Sequence, residues 1–85
     1  MNQVTIYISP ICGYCTKAKR LLATKGVEVN EIDAASDPQA FEEMTARSGR
    51  RTVPQIFFGQ RHIGGYDDLV KLDREGGFDA ALAAG

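Results

Sequence analysis

The amino-acid sequence predicts an α/β fold. Its expected form is a mixed four-stranded sheet flanked by helices, ordered β-α-β-α-β-β-α with a short extra C-terminal helix. Three observations predict it. Short runs rich in β-branched and aromatic residues alternate with segments of helical spacing. The first two such runs are separated by a helical stretch, a crossover that makes their strands parallel. The last two are separated only by Gly59-Gln60, a two-residue hairpin turn that makes them antiparallel. With 85 residues, 44% of them hydrophobic, the chain fits one small domain over residues 1–85 with a modest packed core.

Val4-Thr5-Ile6-Tyr7-Ile8 is the first strand, and Ser9-Pro10 breaks it. From Tyr14 to Lys25, Ala18, Leu21 and Leu22 share one helix face, and Gly26 is a natural stop. Val27 to Asp33 reads as the second strand. Ser36 or Asp37 can cap the next helix, Pro38 suits its first turn, Phe41 and Met44 face inward, and Gly49 ends it. Gln55–Phe58 and Arg61–Ile63 form the hairpin. Gly64-Gly65 opens a helix that turns Leu69 and Leu72 inward, and residues 78–84 form a last short helix after Gly76-Gly77.

The net charge of −1 leaves no strong overall field for nucleic acid or a membrane surface, and neither is expected as a partner. The charge is nonetheless segregated. Residues 16–25 and 47–61 carry only bases and residues 28–43 only acids. Arg50-Arg51 are the best candidates for a local small-anion site. No charged leader with a long apolar run is visible, and no run approaches the ~20 residues of a membrane span. A cytoplasmic location is therefore expected, as is a monomer. In a reducing compartment a close cysteine pair serves catalysis or metal binding more often than permanent stapling.

The pair is Cys12-Gly13-Tyr14-Cys15. Half a zinc site and a redox dithiol share this spacing. A closed zinc site needs four ligands, and Cys12, Cys15 and His62 are too few Cys and His for one chain, so no metal is expected. The pair falls where a strand ends and a helix begins. Unpaired N–H groups and the positive end of the helix dipole there favour a thiolate at Cys12. Cys15, three residues on, lies on the same face at roughly 5–6 Å between Cα atoms, within disulfide range. Cys12 is thus the exposed nucleophile and Cys15 the recessed resolving thiol. Tyr14 either packs on a neighbour or flanks the attacking sulfur. His62 has no evident partner and reads as a surface or sheet-packing residue.

Three blocks in order, Cys12-Gly13-Tyr14-Cys15, Thr52-Val53-Pro54 and Gly64-Gly65-Tyr66-Asp67-Asp68, make the chain resemble the dithiol glutaredoxins of the thioredoxin fold along essentially its whole length. The resemblance implies a cis Val53–Pro54 bond beside the cysteines, with the Val53 backbone free to pair with a bound peptide. It implies that Tyr14, Arg51, Thr52, Val53, Pro54, Gly65, Tyr66 and Asp67 bind glutathione. The Tyr66 and Asp67 N–H groups would take a carboxylate and the Asp67 side chain an ammonium. Asp68 would act as a helix cap. Many relatives carry a Lys shortly before the first cysteine, and Ser9-Pro10-Ile11 lacks it. Arg51 could substitute for that cation, with Arg47 or Gln39 as further candidates.

The resemblance also implies an activity: glutathione-dependent reduction of protein disulfides and glutathione mixed disulfides. Glutathione would be the co-substrate, with glutathione reductase and NADPH behind it. Two alternatives stand beside it. One is a homodimer holding a [2Fe–2S] cluster on two Cys12 thiolates and two glutathiones. The other is a disulfide reductase recharged by thioredoxin reductase.

Overall fold

A computed structural model describes residues 3–84. The elements are β1 (Val4–Ile8), α1 (Gly13–Thr24), β2 (Val29–Asp33), α2 (Pro38–Ser48), β3 (Gln55–Phe58), β4 (Arg61–Gly64), α3 (Tyr66–Arg74) and α4 (Phe78–Ala84). The sheet has four strands in the order β2-β1-β3-β4. β1 pairs parallel with β2, and β3 pairs antiparallel with both β1 and β4. This is the mixed α/β architecture the sequence predicts, the thioredoxin fold.

Alternation along the strands sorts the core onto two faces. Val4, Ile6, Ile56 and Phe58 meet Ala18 and Leu22 of α1, Leu69 of α3, and Phe78, Ala81 and Leu82 of α4. Tyr7 and Phe57 point the other way, onto Ala34 and onto Met44 of α2. Helices therefore cover both faces, and the central strands β1 and β3 are buried on both sides.

The helix ends follow their local chemistry. Asp37 caps α2, its Oδ1 accepting from the Gln39 N–H at 3.0 Å, with Pro38 in the first turn. Ser36, the other capping candidate, instead donates to Asp33 Oδ2 at 2.9 Å. Gly49 ends α2 in the left-handed region at φ 72°, and its N–H returns to the Thr45 carbonyl at 2.8 Å. Two strand boundaries differ. β2 starts at Val29 rather than Val27, because Val29 pairs with Val4, the first residue of β1; Val27 still packs on the core from outside the ladder. β4 runs through Gly64, because a shift in register between Ile56 and Phe57 absorbs an extra residue and brings Gly64 opposite Ile56.

No helix among the described residues is long and apolar enough to cross a membrane.

Candidate functional site

The site forms where the C-terminal end of β1, the loop before β3 and the start of α3 converge. Cys12 is the N-cap of α1, in an extended conformation, and its Sγ accepts the Cys15 N–H at 3.1 Å. A sulfur anion here meets a backbone donor and the positive end of a helix dipole. Cys12 is partly exposed and Cys15 is buried, at 2% exposure. Burial, and then the hydrogen bond to Cys12, push the Cys15 thiol up to about 11. The two sulfurs are thus unequal, as the helix-start placement predicts. Gly13 keeps the approach open, since a Cβ there would meet nothing within 4 Å.

The second wall is the loop Thr52-Val53-Pro54, whose Val53–Pro54 bond is cis, as the family resemblance implies. The Val53 carbonyl oxygen lies 3.9 Å from Cys12 Sγ. Behind this loop sits Gln55, a polar side chain only 1% exposed. Its Nε2 donates to the Thr52 carbonyl at 3.0 Å and to Thr52 Oγ1 at 3.2 Å. With its donors so placed, Oε1 is the acceptor for His62, whose Nε2 lies 2.8 Å away and carries the proton of that bond. His62 also packs its ring on Phe57, with centroids 5.0 Å apart. The expectation that His62 has no partner is therefore corrected, because the hairpin register brings it over a buried amide with a spare acceptor. Burial, then the charge of Arg50, hold the imidazole below its usual value, so it is neutral at neutral pH.

The third wall is the β4–α3 corner. Gly65 is the N-cap of α3 and has no side chain to offer its first-turn N–H groups, which include those of Tyr66 and Asp67. Asp68 reaches back, its Oδ2 accepting from the Gly65 N–H at 2.9 Å and from Arg50 Nη1 at 3.0 Å. The Gly65 hydrogen bond, then the Arg50 guanidinium, hold its carboxyl below the ordinary carboxylate range. The Tyr66 ring leans on the Tyr14 ring at 6.0 Å between centroids, joining the α3 corner to the cysteine loop.

An open cleft of about 270 Å³ lies between the second and third walls, with the cysteines beside it rather than in its lining. It gathers Tyr14, Thr52, Val53 and Pro54 on one side and Gly65, Tyr66 and Asp67 on the other. Arg51 is not among its lining residues. Its guanidinium lies over the Phe41 ring, 5.2 Å from the centroid, in a separate groove along α2. The basic side chain in the cleft is Arg50. Arg47 is also engaged elsewhere, donating to the Tyr7 hydroxyl at 3.0 Å and covering the Phe57 ring. The α2 groove is larger, about 690 Å³, but takes none of its lining from the Thr52-Val53-Pro54 loop or from the start of α3. Among the described residues no cluster of three His, Cys, Asp or Glu side chains could hold a metal ion.

The sequence singles out Arg50 only as half of a small-anion pair and Asp68 only as a helix cap, and it leaves Gln55 unremarked. Their signals were present: an Arg pair before the Thr-Val-Pro block, an amide directly after its proline, and an acid three residues after the helix-capping glycine.

Known proteins share this sequence pattern and fold. The glutaredoxin family model matches residues 4–63. Glutaredoxin 3 of Escherichia coli (strain K12) is 50% identical over 82 residues, covering 96% of this chain and 99% of that protein. The solution structure of glutaredoxin from Brucella melitensis superposes with a TM-score of 0.84 at 55% identity, over 96% of this chain and 89% of that one. The crystal structure of a buckwheat glutaredoxin–glutathione complex superposes with a TM-score of 0.85 at 28% identity, over 98% and 78%. With two cysteines held at the start of α1 and a matching family model over most of its length, this chain belongs to the glutaredoxin family of thiol–disulfide oxidoreductases.

Proposed function

We propose that this glutaredoxin uses glutathione as its electron donor, through Cys12 and Cys15, to reduce protein disulfides and glutathione mixed disulfides. The observation that carries the reading is that Cys12 Sγ sits 3.9 Å from the Val53 carbonyl, against the wall of a cleft whose far side is a helix start with a glycine at its N-cap, which offers no side chain to the first-turn N–H groups. A γ-glutamyl group presents a carboxylate and an ammonium. The Tyr66 and Asp67 N–H groups suit the first and the Asp67 carboxylate the second. The Val53 backbone suits the glutathione peptide bonds as an added strand. A relative of this fold, the buckwheat protein, is described in complex with glutathione. Arg50 is the cation within the cleft, and Arg51 would serve only after leaving Phe41.

The chemistry follows from the unequal sulfurs. On a glutathione mixed disulfide, the Cys12 thiolate attacks the glutathione sulfur. The Cys12–glutathione bond forms, the old S–S bond breaks, and the protein thiolate leaves and takes a proton. A second glutathione thiolate then attacks the glutathione sulfur, releasing oxidised glutathione and the Cys12 thiolate. On a protein disulfide, the Cys12 thiolate bonds one substrate sulfur as the substrate S–S bond breaks and its other sulfur leaves as a thiolate. Cys15 then attacks Cys12, breaking that mixed disulfide and releasing the second substrate thiolate. Two glutathiones reduce the resulting Cys12–Cys15 disulfide to the dithiol and become oxidised glutathione. Burial and the Cys12 sulfur both keep Cys15 protonated in the resting dithiol. Once Cys12 is tied in a disulfide, its sulfur no longer opposes ionisation of Cys15, and burial is the remaining cost. Glutathione reductase and NADPH would recycle the oxidised glutathione.

The Cys15→Ser variant tests this. It should hold one glutathione on Cys12 by mass spectrometry after exposure to oxidised glutathione. It should also keep most of its turnover of small glutathione mixed disulfides, while reduction of protein disulfides through the dithiol falls about a hundredfold or more. Equal loss of both activities would remove the Cys12–glutathione intermediate from the scheme.

A further inference from the structure

Ile11 precedes the nucleophile, and it is 96% exposed. Tyr14 is 58% exposed, and these two are the exposed large hydrophobic residues among the described residues. A single exposed apolar side chain needs no explanation, but two within three residues of the reacting sulfur form a pattern. No charged residue lies between Ser9 and Thr16. The nearest cation on this lip, Lys17, is drawn over the Tyr14 ring at 5.2 Å. Pro10 and Gly13 are exposed as well, so the surface around Cys12 is uncharged and partly apolar.

The reaction fixes what must come against this lip. When Cys12 bonds a substrate cysteine, the two Cα atoms are held roughly 5–6 Å apart, and each next residue along either chain is about 3.8 Å away. A residue flanking the substrate cysteine is therefore brought within side-chain reach of Ile11. The Val53 carbonyl lies 3.9 Å from Cys12 Sγ, so a segment that pairs with the Val53 backbone while joined to Cys12 comes within side-chain reach of Ile11, the residue next to Cys12. We propose that Ile11, supported by Tyr14, is a specificity element that favours polypeptide disulfides whose cysteine is flanked by an apolar residue. The inference rests on the proposed dithiol reduction of protein disulfides and names its substrate class.

Two synthetic peptides test it, each closed by one disulfide and differing only in Leu or Ser beside the same cysteine. The glutathione mixed disulfide of 2-mercaptoethanol is the control. Wild-type protein should favour the Leu peptide in kcat/KM by roughly tenfold. Ile11→Ser should reduce that ratio to about twofold or less and leave turnover of the control unchanged, whereas Ile11→Leu should keep it. Because Ile11 contributes almost nothing to the core, both variants should fold as wild type does. The same Leu-to-Ser ratio in wild type and Ile11→Ser would overturn the proposal. So would a wild-type dimer in sedimentation that Ile11→Ser dissociates, since the lip would then serve a second copy of the chain. Failure of wild type on the control alone would instead overturn the glutathione reading.

Discussion

Replacing Cys12 by serine is expected to reduce turnover of both small mixed disulfides and protein disulfides to the uncatalysed level, a loss of roughly a thousandfold or more. The reason lies in the sulfur itself. Only a thiolate both attacks a disulfide and leaves again as part of one, and a serine hydroxyl stays un-ionised at neutral pH. The surroundings of Cys12 would survive the change. The helix cap needs an acceptor for the Cys15 N–H, which now goes to Sγ at 3.1 Å, and a serine Oγ supplies one equally well. The variant should therefore melt within a few degrees of wild type while losing its activity. Cys15 cannot take over, being buried and held as a thiol up to about 11. A Cys12→Ser protein that kept even a tenth of wild-type turnover would place the nucleophile elsewhere.

Gly64→Ala should produce the largest loss of stability of any single methyl addition in the site. Two separate costs meet there. Gly64 has φ 122°, a backbone region that residues with a Cβ rarely adopt. A Cβ at that position would also lie 2.2 Å from Asp68 Oδ2 and 2.8 Å from Asp68 Cβ. Rotating the carboxylate away does not clear the second contact, so the start of α3 must shift. With it go the bonds from Asp68 to Gly65 and Arg50 that hold the corner of the cleft. Strain and a lost cap together are worth about 2–4 kcal/mol. For a chain this short that lowers the melting temperature by roughly 10–25 °C. Gly65→Ala is the matched control, because a Cβ there sits 3.5 Å from the Pro54 carbonyl, an ordinary contact. Thermal melts of the two variants side by side decide the matter. A Gly64→Ala protein as stable as Gly65→Ala would mean that the corner yields freely.

The elements were legible because their signals are local. β-Branched alternation marks β1, Asp37-Pro38 and Gly49 bracket α2, and Gly59-Gln60 turns the hairpin. The unequal cysteines were legible for the same reason, since a helix start sets both positions. The cis Val53–Pro54 bond came from resemblance, as composition alone would suit an ordinary proline before a strand. What stayed hidden depends on direction and distance. Arg50 and Arg51 are neighbours in a loop with no periodicity, yet one side chain enters the cleft and the other lies over Phe41. The Gln55–His62 bond joins two strands through a register that includes a bulge, which no pattern in the sequence announces. Val27 has the composition of a strand residue but lies beyond the end of the ladder.

The choice of electron donor is the centre of the account, and coupled NADPH consumption tests it most directly. Wild-type protein would be supplied with a protein disulfide and either glutathione plus glutathione reductase or thioredoxin reductase alone. The glutathione couple should sustain turnover at least about tenfold faster, since the cleft beside Cys12 offers a helix start and Asp67 to a γ-glutamyl group. Equal or faster turnover with thioredoxin reductase would contradict it.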